Sequence, residues 1–280
     1  MNSFSLNDFI QNAIREDIGD GDHSSLACIP KDNAGKAHLL IKQQGILAGV
    51  EIAEKVFKII DPSLKLEITL TDGVQIKPGD IAFVVSGNTQ SILKSERLVL
   101  NIIQRMSGIA TLTNEFVKLI SGTKAKILDT RKTTPGFRYF EKQAVKIGGG
   151  ENHRMGLYDM IMLKDNHIDF AGGIKKAITQ ANDYLKKKNK NLKIEIEARN
   201  LNDIKEIINV GNVDRIMLDN FTPEQTREAI TLINGRYETE SSGGINLETI
   251  RSFAETGVDY ISVGALTHQI KSLDMSLKAI

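Results

Sequence analysis

The sequence predicts an α/β fold whose C-terminal part is a barrel, and three observations carry that prediction. Strand-like runs recur after about Lys124, each followed by a helical run: Ala125–Asp129, Met160–Lys164, Leu192–Glu197, Asp214–Asp219, Tyr237–Ser241 and Asp259–Gly264. Six such βα steps fit either a barrel or a doubly wound sheet. No GxGxxG follows the first run, which lowers the dinucleotide-binding alternative. Finally, the runs end in Asp129, Lys164, Glu197, Asp219, Ser241-Ser242 and Gly264. Polar or glycine endings at every step are what the active rim of a barrel requires, because function gathers at the carboxyl ends of its strands.

Composition narrows the class. A chain of 280 residues, 41% hydrophobic, suits one large domain or two unequal ones with a full core. Its 36 basic and 35 acidic residues leave no global field to draw nucleic acid or an anionic membrane. The lone Cys28 excludes an internal disulfide and a cysteine-based zinc site, and is expected to be small and buried or half-buried. The opening MNSFSLNDFIQNAIRED has neither a basic start nor an apolar core, so it does not read as a secretory signal. No stretch approaches 18 uninterrupted apolar residues. A cytoplasmic enzyme or binding protein is the expectation.

Ser5 to Asp17 is amphipathic, with Leu6, Phe9, Ile10, Ala13 and Ile14 at helical spacing and Ser5 as its cap. The acidic run at Asp20-Gly21-Asp22 lacks calcium-loop spacing and reads as a turn with helix-capping aspartates. Residues 34–48 read as two short strands around a Gln-Gly turn. Glu51 to Ile60 is a helix closed by Asp61-Pro62, and Leu64–Leu70 and Ile81–Val85 are strands. Thr89 to Ile120 is a long helical region that Ser107-Gly108 is expected to split. The later helices fall near Arg138–Lys146, Ala171–Lys188, Leu201–Val210, Pro223–Ile233 and Leu247–Thr256. Lysines 186–188 and 190 mark a solvated helix end, where they complement the dipole.

The chemistry concentrates between Asp129 and His167. Arg131, Lys132, Arg138, His153, Arg154, Lys164 and His167 cluster at strand ends, turns and beside Gly148-Gly149-Gly150. A solvated face would scatter such charges at helical spacing, so the cluster reads as an anion pocket; two basic surface loops are the bland alternative. A triple glycine implies that the backbone closely approaches something. Ser241-Ser242-Gly243-Gly244, ahead of a helix expected near Asn246, reads as a phosphate loop, with Gly264-Ala265 and His268 as its other wall. Glu197 and Asp219 have three open roles: general base, metal ligand, or stabiliser of a cationic transition state. Oxygen ligands beside phosphate point to magnesium.

At these residues the sequence resembles the quinolinate phosphoribosyltransferases. The resemblance rests on DTRKTTPGFR, GGGENHRMGLYDMIMLKDNHI, LDNF, ESSGGI and DYISVGALTH, with EDIGDGD near the start and ERLVLNIIQRMSGIAT in the linker. It covers nearly the whole chain in order. It implies an N-terminal α/β sandwich domain over residues 1–110, followed by an incomplete TIM-like α/β barrel over 111–269, with 270–280 packing back on the first. It implies transfer of phosphoribose from 5-phosphoribosyl-1-pyrophosphate to quinolinate, releasing carbon dioxide and pyrophosphate, with Mg2+. Arg131, His153, Arg154 and Lys164 would hold the quinolinate carboxylates, and Lys132 would lie between the substrates. Glu197 and Asp219 would serve the ribose and the magnesium pyrophosphate, directly or through water. Ser242, Gly243, Gly244, Gly264 and His268 would take the 5-phosphate. The chain would form a homodimer in which Arg97 reaches the neighbouring subunit's site.

Two rival classes stand beside this one. A barrel lyase or isomerase acting on a sugar phosphate would use Lys164 as a Schiff-base amine, which needs an apolar pocket. A non-catalytic anion binder explains the cations but gives no reason for Glu197 and Asp219.

Overall fold

Short polar side chains set the first helices. In the computed structural model, which describes residues 4–280, Ser5 caps α1 (Leu6–Ile18) by accepting from Asp8 N. Asp22 caps α2 (His23–Cys28) in the same way, through Ser25 N. Each cap satisfies a backbone donor that would otherwise have no partner, typically worth ~1 kcal/mol. Cys28 corrects the sequence reading: it is exposed, because a helix of six residues buries only Ser25. Next come β1 (Ala34–Ile41), β2 (Gly45–Ile46), α3 (Val50–Ile60), β3 (Lys65–Ile68), β4 (Gln75–Ile76) and β5 (Ile81–Asn88). β1 and β2 do not pair as a hairpin; β1 lies between other strands and β2 pairs with β4.

One helix, α4 (Thr89–Leu119), follows without the break expected at Ser107-Gly108. Ser107 Oγ instead accepts from Ala48 N, 2.9 Å away. A side chain at Gly108 would collide with the carbonyl of Lys271. The pair therefore serves close packing on the helix face, which sequence alone cannot distinguish from a hinge.

Beyond α4 the order is β6 (Lys126–Leu128), α5 (Arg138–Ile147), β7 (Ile161–Leu163), α6 (Asp165–Ala171), α7 (Ile174–Lys188), β8 (Ile194–Ala198) and α8 (Leu201–Val210). Then come β9 (Arg215–Asp219), α9 (Pro223–Ile233), β10 (Glu238–Ser242), α10 (Ile250–Ala254), β11 (Tyr260–Ser262), α11 (Ala265–His268) and β12 (Met275–Ala279). Gly172 and Gly173, both at positive φ, end α6, a helix the sequence reading did not expect, and the helix expected at 171–188 begins at Ile174 as α7. The helix expected near Asn246 begins only at Ile250, because Asn246 Oδ1 accepts from Glu248 N and Thr249 N in a local turn.

The chain divides into two compact units. The first runs to Asn114 and includes Thr134–Gly149 and Gln269–Ile280; the second comprises Glu115–Thr133 and Gly150–His268. In the first, a sheet of order β12-β1-β5-β3 joins its neighbours antiparallel. Phe57 and Phe83 meet edge to face in its core, and Phe9 packs 4.6 Å from Phe140 of α5. Within this unit the triple glycine finds its close approach: a side chain at Gly148 would strike the carbonyl of Ala110 on α4. The glycine thus answers to a helix, where sequence reading pointed to a ligand.

The second unit is an α/β fold with six parallel strands in the order β6-β11-β10-β9-β8-β7. Each of the six strands matches a run expected from the sequence. β6 and β7 stand at the two ends, so the barrel is incomplete. Ile178, Ile204, Ile207, Ile216, Leu218 and Ile233 form its outer core, where α7, α8 and α9 cover β8 and β9. Burying each such side chain is worth ~1.5–3 kcal/mol relative to exposure.

Candidate active site

The site lies at the carboxyl ends of the parallel strands, and it begins with a clamp. Glu151 lies alongside Leu128 as a parallel bridge, with Glu151 N donating to Ile127 O at 2.8 Å and Asp129 N to Glu151 O at 3.2 Å. Asp129 is fully buried; its carboxylate accepts from His153 N at 2.9 Å and Asn152 Nδ2 at 2.8 Å. A buried carboxylate has to find such donors. By finding them it ties the segment carrying Arg131 and Lys132 to the one carrying His153 and Arg154.

The clamp places two guanidinium groups near each other. Burial lowers the pKa of Arg154, and the nearby charge of Arg131 lowers it further. Arg154 is only 8% exposed, and Arg131 Nε is buried without a hydrogen-bond partner. Two cations held together in a recess, one with an orphan donor, call for an anion with more than one oxygen.

Opposite stand the acids. Glu197, 6% exposed, accepts from Lys164 Nζ at 3.0 Å and from Asp165 N at 2.9 Å, so it also caps the start of α6. Asp219 is half-buried, and burial, then the charge of Glu197, raises its pKa. Lys164 is the cation that moderates this pair. Asn220, at φ 57, follows Asp219 and donates from its own amide to Ser242 O at 2.9 Å, joining the ends of β9 and β10.

Gly243 and Gly244 follow Ser242 at φ 103 and φ 62. A side chain on Gly243 would collide with Asn220, whereas Gly244 faces open space. Gly243 therefore serves the close approach of two loops, and Gly244 is the freer of the two. α10 is too short and too distant in sequence to contribute a helix dipole to a phosphate here, which corrects that part of the expectation. A Cβ on Gly264 would lie 3.0 Å from His268 Nε2 and 3.1 Å from Lys132 Cδ. Thr267 Oγ1 donates to Lys132 O at 2.7 Å and fixes this wall. Lys132, Gly264 and His268 thus come together. Arg97 is exposed on α4 in the first unit.

His153 lies deeper, beside residues that sequence reading missed. Its Nε2 is 3.0 Å from Glu195 Oε2 and 3.4 Å from Glu240 Oε2, and both acids are fully buried. Arg215 Nη1 contacts Glu240 at 2.9 Å. Burial opposes charge on His153, but the two carboxylates outweigh it and lift the pKa to about 9. Burial and Glu240 together push Glu195 up to about 7. Nδ1, however, accepts from Arg154 N at 2.7 Å, and a proton there would face that N–H. The ring therefore presents Nδ1 as acceptor to Arg154 N and turns Nε2 toward the two acids. The missed signal is alternation in IEIEA and ETESS: strands of a parallel sheet are covered on both faces, so an acid between apolar residues points inward.

The comparisons agree along the whole chain. A family model described as "Quinolinate phosphoribosyl transferase, N-terminal domain" matches residues 22–107, and its C-terminal counterpart matches 109–278. A quinolinate phosphoribosyltransferase [decarboxylating] from Nicotiana tabacum is 46% identical over 99% of this chain and 83% of its own length. A probable nicotinate-nucleotide pyrophosphorylase [carboxylating] from Bacillus subtilis is 41% identical over 99% of this chain and 94% of its own. The crystal structure of NadC from Streptococcus pyogenes superposes with TM-score 0.93 at 40% identity, covering both chains completely.

Proposed function

This chain belongs to the quinolinate phosphoribosyltransferase family, and from that premise we propose how its own residues carry the family reaction. The enzyme transfers phosphoribose from 5-phosphoribosyl-1-pyrophosphate to the ring nitrogen of quinolinate in NAD biosynthesis. Carbon dioxide and pyrophosphate leave, and nicotinate mononucleotide remains.

The carrying observation is the recessed Arg131–Arg154 pair with its orphan Nε. Quinolinate brings two adjacent carboxylates, which suit two guanidinium groups and the Lys164 ammonium. Departure of pyrophosphate leaves positive charge at C1 of the ribose, which Glu197 and Asp219 would stabilise. Lys132 takes up charge on the leaving group. The pyridine nitrogen attacks, so no covalent enzyme intermediate forms. Once the nitrogen is a pyridinium it accepts the electrons of the departing 2-carboxylate. Ser242, Gly243, Gly244, Gly264 and His268 form the 5-phosphate side.

The donor set fits magnesium. Glu197 and Asp219 are hard oxygen ligands; burial and then the charge of Glu197 raise the pKa of Asp219, and Lys164 only partly offsets this. Magnesium characteristically binds through one or two carboxylates plus substrate phosphates. Bound there, it would neutralise the pyrophosphate as that group leaves. We further propose a cytoplasmic homodimer in which the exposed Arg97 serves the partner's site. No helix among the described residues is long and apolar enough to cross a membrane.

The lyase alternative loses ground on Lys164, whose side chain is 47% exposed and paired with Glu197, not desolvated. Calorimetric titration with quinolinate and with nicotinate tests the proposal. Tight binding of quinolinate alone is expected, and comparable binding of nicotinate would overturn it.

A further inference from the structure

The strand pleat puts alternate residues of β8, β9 and β10 on one face of the sheet. Glu197, Asp219 and Ser242 occupy the rim on that face. Two residues deeper on β8 and β10 lie Glu195 and Glu240, and Arg215 is in register with both Glu195 and Glu238. Arg215 binds Glu240 at 2.9 Å and Glu238 at 3.1 Å, and stacks 4.0 Å over the Tyr260 ring. Within this layer one arginine faces two fully buried acids, a combination that is costly unless a further donor joins it. His153 is the group that joins it, its Nε2 lying 3.0 Å from Glu195 and 3.4 Å from Glu240.

We propose that His153 is a positioning residue, and that Glu195 and Glu240 act through it to aim Arg154 at the substrate. The inference rests on the reading of Arg131 and Arg154 as the quinolinate site. Both ring nitrogens of His153 face protein: Nε2 sits between the two acids, and Nδ1 accepts the backbone N–H of Arg154. Its own backbone N–H is bound by Asp129. The imidazole is therefore a strut between a buried ionic layer and the residue that reaches the anion. The same three side chains have the composition of a metal site, with ligand atoms within 4.8 Å of one another. Arg215 already supplies the cation there, so a metal is not required.

The test uses Glu195→Gln and Glu240→Gln, which keep shape and replace each carboxyl group by an amide. Each should raise the KM for quinolinate at least tenfold while leaving the KM for phosphoribosyl pyrophosphate within twofold. Adding Arg154→Met to either should cause no further rise beyond Arg154→Met alone, because the acids act through Arg154. Multiplicative losses, unchanged quinolinate KM, or equal change in both substrates would overturn the proposal. A second measurement needs no variant. In wild-type enzyme labelled with 15N-histidine, saturating quinolinate should leave the His153 ring with Nδ1 as acceptor and Nε2 protonated. A new hydrogen bond from either ring nitrogen to the ligand would overturn it. Wild-type enzyme that fails to bind quinolinate at all would instead count against the family assignment of the site.

Discussion

Replacing Arg154 by Met separates binding from folding unusually well. Methionine keeps most of the side-chain length, and the backbone N–H that bonds His153 Nδ1 remains. The guanidinium gives up a long hydrogen bond, from Nη1 to Met160 O at 3.4 Å. In the free enzyme the substitution also removes a buried charge held beside Arg131, which itself depresses the pKa of Arg154. Thermal stability should therefore hold or rise. Quinolinate loses a charge-assisted contact in a recess where Arg154 is 8% exposed, a loss of about 2–5 kcal/mol. At about 1.4 kcal/mol per tenfold, that weakens binding by roughly 30-fold to several thousand-fold. Calorimetry and a thermal melt on the same preparation read both effects. Unchanged affinity, or a large drop in Tm, would refute the reasoning.

Four further outcomes follow from the geometry. Asp219→Asn should shift the magnesium dependence of turnover to higher concentration and lower kcat, while quinolinate binding alone stays near wild type. Gly244→Ala enters open space at φ 62, so phosphoribosyl pyrophosphate use should fall at a folding cost of ~1 kcal/mol, whereas Gly243→Ala, which strikes Asn220, should lose the fold first. Burial raises Asp259, but its bonds from Lys124 and Thr239 outweigh burial and hold it below 3.8; its stabilisation is therefore present above pH 3.8 and lost as pH falls through the lowered value. Urea denaturation of Asp259→Asn should show a loss of about 1–3 kcal/mol at pH 7 that shrinks in acid. Inactive Arg97→Ala and Arg131→Ala homodimers should regain activity when mixed, and no recovery after verified subunit exchange would remove Arg97 from a shared site.

The barrel was legible because strand-like runs recur at βα spacing, most of them apolar and each stopped near a functional group. Asp129, Lys164 and Asp219 end or follow a strand where expected, and Glu197 is the next-to-last residue of β8. Caps at Ser5 and Asp22 were equally legible, since a short polar side chain before an amphipathic run has a local meaning. What failed needed distance. Gly108 and Gly148 looked like a break and a ligand loop, but each makes room for backbone far away in sequence, Lys271 and Ala110. β1 and β2 looked like a hairpin, yet β12, over 230 residues later, claims one edge of β1. Glu195 and Glu240 were overlooked because an alternating acid in a strand ordinarily faces water, and only coverage of both faces turns it inward.

The most direct test of the account is release of labelled carbon dioxide from quinolinate carrying the label at the 2-carboxylate. Release should require phosphoribosyl pyrophosphate and magnesium together, in step with formation of nicotinate mononucleotide. Release without phosphoribosyl pyrophosphate, or none with both present, would contradict it.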